Sequence, residues 1–298
     1  RDRVDGGRGC GGIQSAVVAR NRTDGGVGAK KDTRMSGFSA GWLALREKAD
    51  LAARAPNVLA ACAAYFTGTN GITVCDLGAG TGAAVDAFSS LLPTPQKWIL
   101  ADDDGQNLQQ AASQRTKSGV VITLQRCNLA EQLRAWPDGT DLVTATALFD
   151  LAGPGWIEAL CGLLAAEKLP LLATITYSGE QAFEPPLPDD AQMLAAFNKH
   201  QRLDKGLGGP AAGPAAASHL VGALTHAGYS IVQGESPWLL TADQNKEMIA
   251  AIVTGWSEAV GEAGLVELPL AQQWKQARLA KTDGLTVSHI DLFAMPPK

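Results

Sequence analysis

The stretch Ile72-Thr-Val-Cys-Asp-Leu-Gly-Ala-Gly-Thr-Gly82 constrains this chain more than any other. An apolar run ending at Val74 meets Asp76, then three glycines at alternate positions, Gly78, Gly80 and Gly82, after which Ala83 to Leu92 has a helical pattern. That order is a strand, a tight turn and a helix N-terminus, the opening unit of an α/β fold. Glycines lack Cβ atoms, so the backbone can turn sharply and a nucleotide-like ligand can approach the main chain and the first N–H groups of the helix.

Two ligand classes use such a turn. Read as Gly78-x-Gly80-x-x-Ala83 with an acidic residue further along, it matches the dinucleotide fingerprint. Asp76 argues against that reading, because a carboxylate just before the first glycine repels a pyrophosphate and attracts a ligand carrying an ammonium and a sulfonium. The full pattern, Asp76-x-Gly78-Ala79-Gly80-x-Gly82, resembles the first motif of class I S-adenosylmethionine-dependent methyltransferases.

The remaining organisation is compatible with that resemblance. Residues 41–67 read as helix with a break near Pro56, because proline cannot donate to the preceding turn. Strand-like runs follow at 72–76, 97–101, 120–126, 141–147 and 169–176, separated by helical stretches at 82–92, 105–117, 129–135 and 155–167. The alternation predicts a doubly wound, mostly parallel sheet with helices on both faces, its ligands beyond the carboxyl ends of the strands. The last third departs from simple alternation, with a short helix at 189–199, a helix at 215–227, a strand at 229–235, helices at 242–262 and 269–280, and a strand at 285–295. The resemblance implies a seven-stranded sheet ending in an antiparallel C-terminal strand, here interrupted by a helical pair. The expected divisions are an unstructured extension at 1–34, a helical cap at 35–70 and a methyltransferase domain at 71–298. Within that domain, the Pro- and Gly-rich 180–214 reads as a lid and 241–282 as a helical insertion.

Carried over position by position, the resemblance places the two ribose hydroxyls on Asp102 at the end of the second strand, with Asp103 beside it. A carboxylate suits two donors in one plane, and Asp104 is left to cap the next helix. After the third strand the family usually has an acidic residue that accepts from the adenine amine; Asn128 stands here, followed by Leu129, and its amide carbonyl can accept one bond or cap a helix. Arg46, on the helix before the first strand, is a candidate clamp for the methionine carboxylate or an ordinary surface charge. Phe149 and Asp150, delivered by the fourth strand, face the acceptor in this reading, with Asp150 a catalytic candidate that orients an acceptor hydroxyl or amine or else caps the turn before Gly153. His200, in the polar run Lys199-His-Gln-Arg-Leu-Asp-Lys205, is the candidate base, and Arg202 a cation for the acceptor. A basic helix end is also a common solvated feature.

Composition narrows the partners. The net charge of −5 and the absence of a basic stripe disfavour nucleic acid. Five scattered cysteines suggest reduced thiols and a cytoplasmic setting rather than a disulfide frame or a metal site. No apolar stretch is long enough to span a membrane. The reading is methyl transfer from S-adenosylmethionine to an O or N atom of a small-molecule acceptor, with oligomeric state left open. A nicotinamide-dependent oxidoreductase and a non-catalytic S-adenosylmethionine-binding protein are the alternatives.

Overall fold

The computed structural model describes residues 39–298; the expected extension at 1–34 lies outside them. Helix α1 (Ala40–Ala52) starts where the Ser39 hydroxyl accepts from the Trp42 N–H, and α2 (Pro56–Tyr65) has proline in its first turn, where no N–H is needed. The break expected near Pro56 is therefore a boundary between two helices. The chain continues through β1 (Ile72–Leu77), α3 (Ala83–Phe88), β2 (Gln96–Asp102), α4 (Gly105–Gln114), β3 (Val120–Arg126), β4 (Leu142–Thr146) and α5 (Pro154–Glu167). Then come β5 (Leu171–Glu184), α6 (Asp190–His200), α7 (Ala216–His226), β6 (Ser230–Glu235), β7 (Trp238–Thr241), α8 (Ala242–Glu262), α9 (Leu268–Lys281) and β8 (Gly284–Met295).

These strands form one sheet in the order β3-β2-β1-β4-β5-β8-β6, with β7 also paired to β8. Strands β1 to β5 are mutually parallel, and β8 runs antiparallel to β5, β6 and β7. The expected mostly parallel sheet with an antiparallel C-terminal strand is observed, and short β7 adds an eighth strand to the seven anticipated. Because β1 lies between β2 and β4, the strand order reverses there, opening a crevice at the carboxyl ends of β1 and β4. Both faces are covered. Val58, Val85, Phe88 and Leu108 pack against Val74 and Leu100 on one side, and Leu160, Leu164, Leu220 and Leu224 against Leu77 and Val143 on the other.

Two departures from the sequence reading matter for the site. Residues 129–135 do not form a helix: the Asn128 side chain takes the Ala130 N–H, its carbonyl takes Glu131 and Gln132, and the turn stops before Pro137. Strand β5 continues eight residues past the expected 176, to Glu184, with irregular pairing between Ala173 and Thr176 and again between Tyr177 and Gln181. Beyond the first irregularity it leaves the parallel sheet and pairs with the first half of β8. A third core forms there from Trp42, Phe183, Phe197, Trp238, Trp256 and Trp274, joining α1, α6, α8 and α9 over the carboxyl edge of the sheet.

Asp291, in β8 and fully buried, holds this bend. Its carboxylate accepts from the Ile175 N–H (2.8 Å), the Ser236 hydroxyl (2.6 Å) and the Ala55 N–H (3.1 Å). Ile175 sits at φ 54°, a region that β-branched residues rarely enter, so the bond to its N–H stabilises an otherwise unfavourable backbone. Replacing Asp291 with Ala strands two N–H groups and a hydroxyl at about 1–3 kcal/mol each, a total of about 3–9 kcal/mol. Urea unfolding should show a loss in that range, and a loss under about 1 kcal/mol would contradict the role.

Candidate functional site

The glycine turn closes the carboxyl end of β1. Gly78, Gly80 and Gly82 all have positive φ, at 64°, 51° and 74°. A Cβ on Gly78 would meet Leu148 Cδ1 at 2.9 Å, whereas on Gly80 it would meet only Leu43 Cδ1, at 3.1 Å, on the open side of the turn. Gly80 is thus the position where the main chain is available for close approach. The turn's amides are largely spent inside the protein: Gly78 and Ala79 donate to the Ala101 carbonyl, Gly82 to Ala79, and Gly80 to Asp102 Oδ2 at 2.8 Å.

A cavity of about 110 Å³ lies against this turn. Gly78, Ala79 and Gly80 line it, with the acidic side chains of Asp50, Asp76, Asp102 and Asp103. Gly82 is not on its wall. Asp76 is 2% exposed and accepts from the Thr144 hydroxyl at 2.7 Å; burial pushes its carboxyl up to about 7, with Asp102 adding to the rise and Thr144 and Arg54 opposing it. Burial also raises Asp102, against the backbone N–H groups of Asp104 and Gly80 that hold its two oxygens. Each of those oxygens keeps a further lone pair for a ligand. Asp104 caps α4 through the N–H groups of Gln106 and Asn107.

Other expected cofactor positions fall elsewhere. Asn128 is occupied by its own turn, Leu129 is buried in the core, and neither lines the cavity. The Nε and Nη2 edge of Arg46 is taken by Asp50 at 2.8 and 3.2 Å, and its guanidinium lies 5.1 Å from the centre of the Trp238 ring. Arg46 is therefore a paired cation on the cavity wall.

A second cavity, of about 130 Å³, adjoins the first. Arg46, Ala147, Leu151 and Lys205 line both. Its remaining wall comes from α1, bent β5, α6, β7, α8 and β8, through residues including Trp42, Tyr177, Phe197, Trp238, Trp256 and His289. A single 3₁₀ turn, Phe149–Leu151, separates two expected acceptor-side residues. Asp150 faces the cavity, whereas Phe149 is fully buried on the opposite side against Trp156, which corrects its expected place.

Burial raises the Asp150 carboxyl to about 6, against the opposing pull of Arg46 and Lys205. Burial lowers Lys205 to about 8, with Asp150 pulling the other way. His200 stacks on Phe197, and burial, helped by Lys205, lowers it to about 4. His200 is therefore neutral at neutral pH, and of the two groups Asp150 holds a proton more readily. The Lys205 ammonium lies 3.4 Å from His200 Nδ1. Arg202 and Lys199 are exposed and absent from the wall: Arg202 lies in the turn beyond the end of α6, which carries it outward. Among the described residues no cluster of His, Cys, Asp and Glu could hold a metal ion, and no helix is long and apolar enough to cross a membrane.

Sequence reasoning undervalued Lys205, which it saw only as one cation in a polar run. It missed Gln181, Tyr177, Trp238, Trp256 and His289, which no local pattern marks.

No protein-family model matches the chain, and no curated protein is significantly similar to it. Among solved structures, the YcgJ protein of Bacillus subtilis is 13% identical, with 81% of this chain and 98% of that one covered at a TM-score of 0.46. A SAM-dependent methyltransferase from Thiobacillus denitrificans in complex with S-adenosyl-L-homocysteine is 16% identical, with 87% and 99% covered at a TM-score of 0.43. The cyclopropane synthase MmaA2 of Mycobacterium tuberculosis is 11% identical, with 79% and 82% covered at a TM-score of 0.43. At these values the likeness adds nothing to the strand order and the site geometry described above.

The Asp76 shift has a consequence for stability. Between its unfolded value of 3.8 and about 7, the folded chain holds a proton that the unfolded chain has lost, so raising the pH through this window destabilises the fold. Asp76→Asn keeps an acceptor for Thr144 and removes the titration. Its melting temperature should gain on that of the unsubstituted protein between pH 5 and pH 8. An equal difference at both pH values would show that Asp76 is not held protonated.

Proposed function

We propose that the protein binds S-adenosylmethionine in the cavity at the glycine turn and transfers its methyl group to an O or N atom of a small-molecule acceptor in the adjoining cavity. One observation carries this reading: the turn's amides are spent internally while carboxylates line the space in front of them. Such a lining attracts a cationic ligand and leaves little with which to cradle a pyrophosphate, which disfavours the nicotinamide alternative. The shared wall supports transfer between two ligands, rather than binding of one alone.

The residues present fit the group. Asp102 keeps lone pairs for the two ribose hydroxyls, with Asp103 beside it, and Gly80 leaves room for the ligand at the main chain. Asp76 would be drawn to its carboxylate form by a bound cation and so face the amino and sulfonium charges, whereas Asp50 is already paired with Arg46. When bound, S-adenosylmethionine supplies an already activated methyl group, so the protein's part is mainly alignment and exclusion of water. The group would supply that methyl from a sulfonium, whose sulfur would keep the electron pair of the bond lost as the acceptor O or N gains the methyl. Asp150, as a carboxylate, takes the proton that the acceptor loses. The segment 180–214 supplies α6 to the second cavity, consistent with a cover over the acceptor. Cys62, Cys75, Cys127 and Cys161 are free and buried, which supports a reducing, cytoplasmic setting.

Calorimetry with S-adenosylmethionine tests the reading. Gly80→Val should abolish measurable binding, since the branched side chain fills the approach. Asp102→Ala should weaken binding by about 1.5–3 kcal/mol, the range for bonds to a charged group, and lower the melting temperature because two backbone N–H groups lose their acceptor. Asp104→Ala should cost about 1 kcal/mol of stability through its lost cap, with affinity unchanged. Unaltered affinity in the Gly80 variant, or equal affinity losses at Asp102 and Asp104, would contradict the placement.

A further inference from the structure

The second cavity concentrates aromatic surface. Three of the chain's seven tryptophans, Trp42, Trp238 and Trp256, line it together with Tyr177 and Phe197, five rings brought from five different elements. Flat walls of this kind favour a flat occupant, which gains stacking and edge contacts beyond simple burial. Size sets a second limit. An apolar cavity of about 150 Å³ accommodates a benzene, so the enclosed part of this one, about 130 Å³, takes a single ring.

Its polar atoms set a third limit. Asp150 Oδ1 and Gln181 Oε1 are buried and have no hydrogen-bond partner in the protein, although Gln181 Nε2 donates to the Tyr177 hydroxyl at 2.7 Å. That hydroxyl is itself fixed by donating to Asn198 Oδ1 at 2.8 Å, so the Gln181 amide is held with its oxygen left over. Buried acceptors without donors are costly, and these two, with His289 Nδ1 a third buried polar atom on the wall that lacks a partner, call for an occupant that supplies O–H or N–H groups. Net charge is close to balanced: Lys205 and Asp150 influence each other, and Arg46 is paired with Asp50. The wall therefore does not call for a charged ligand.

We infer that the acceptor is a single uncharged aromatic or heteroaromatic ring carrying hydroxyl or amino groups, which donate to Asp150 and Gln181. This rests on the methyl-transfer reading, with the donor group on Asp150 as the one that receives the methyl. Three probes separate the requirements: catechol has the ring and two donors, cyclohexane-1,2-diol has the donors without the flat ring, and 1,2-dimethoxybenzene has the ring without the donors. Calorimetric titration of the full chain, with and without saturating S-adenosylhomocysteine, should show catechol binding at least about tenfold more tightly than either analogue, the scale of one charged hydrogen bond. Asp150→Ala should erase most of that preference and leave S-adenosylhomocysteine affinity unchanged. Catechol that fails to bind, or binds no better than the saturated diol, overturns the acceptor class. Failure of S-adenosylhomocysteine to bind instead overturns the methyl-transfer reading, and the titration without it reports ring binding separately.

Discussion

The buried carboxylate of Asp291 ties together parts of the chain that the parallel sheet alone would leave apart. It accepts from the Ala55 N–H at the start of α2, from Ile175 at the bend of β5 and from Ser236 just before β7. Without that anchor nothing compensates the left-handed backbone of Ile175, and β5 has no reason to turn away from β4. Everything beyond the bend follows from it. Tyr177 and Gln181 reach the second cavity, Asn198 of α6 binds the Tyr177 hydroxyl and the Gly179 carbonyl, and the first half of β8 gains a partner. At the far end of this layer the Arg278 guanidinium, fully buried in α9, bonds to Asp190 of α6 and to the Pro185 carbonyl, closing the arrangement.

The two cavities divide the chemistry between them. One is lined by carboxylates in front of a turn whose amides are already satisfied, and the other by aromatic rings around two unpaired acceptors. Of the four residues that border both, Ala147 and Leu151 are apolar and Arg46 and Lys205 are cations. Ala147 has φ 52° and follows β4 directly, so the main chain there is bent at the point where the two spaces meet. Residues that border both spaces set two ligands side by side, and proximity is the main requirement for transfer from an activated donor.

What could be read from the sequence was local. The glycine turn, the end of β2 at Asp102 and the cap at Asp104 each depend on neighbours within a few residues, and strand periodicity carried the sheet. The region 129–135 failed because Asn128 bonds its own turn, a choice that helical pattern does not reveal. Phe149 and Asp150 were assigned to the same side, but a 3₁₀ turn sends adjacent residues to different sides. Arg202 and His200 looked like one cluster, yet only His200 lies on the cavity wall. The aromatic wall was invisible because its rings come from elements far apart in sequence, assembled by a bend whose cause, Asp291, lies 116 residues from Ile175.

Methyl transfer requires that a donor and an acceptor meet beside Ala147 and Leu151, where the two cavities adjoin. A crystal structure with S-adenosylhomocysteine tests it most directly. The ribose hydroxyls should lie on Asp102, the adenosine against the glycine turn, and the sulfur beside Ala147 and Leu151, open toward the second cavity and Asp150. A nucleoside bound away from Asp102, or a sulfur pointing away from the second cavity, would contradict it.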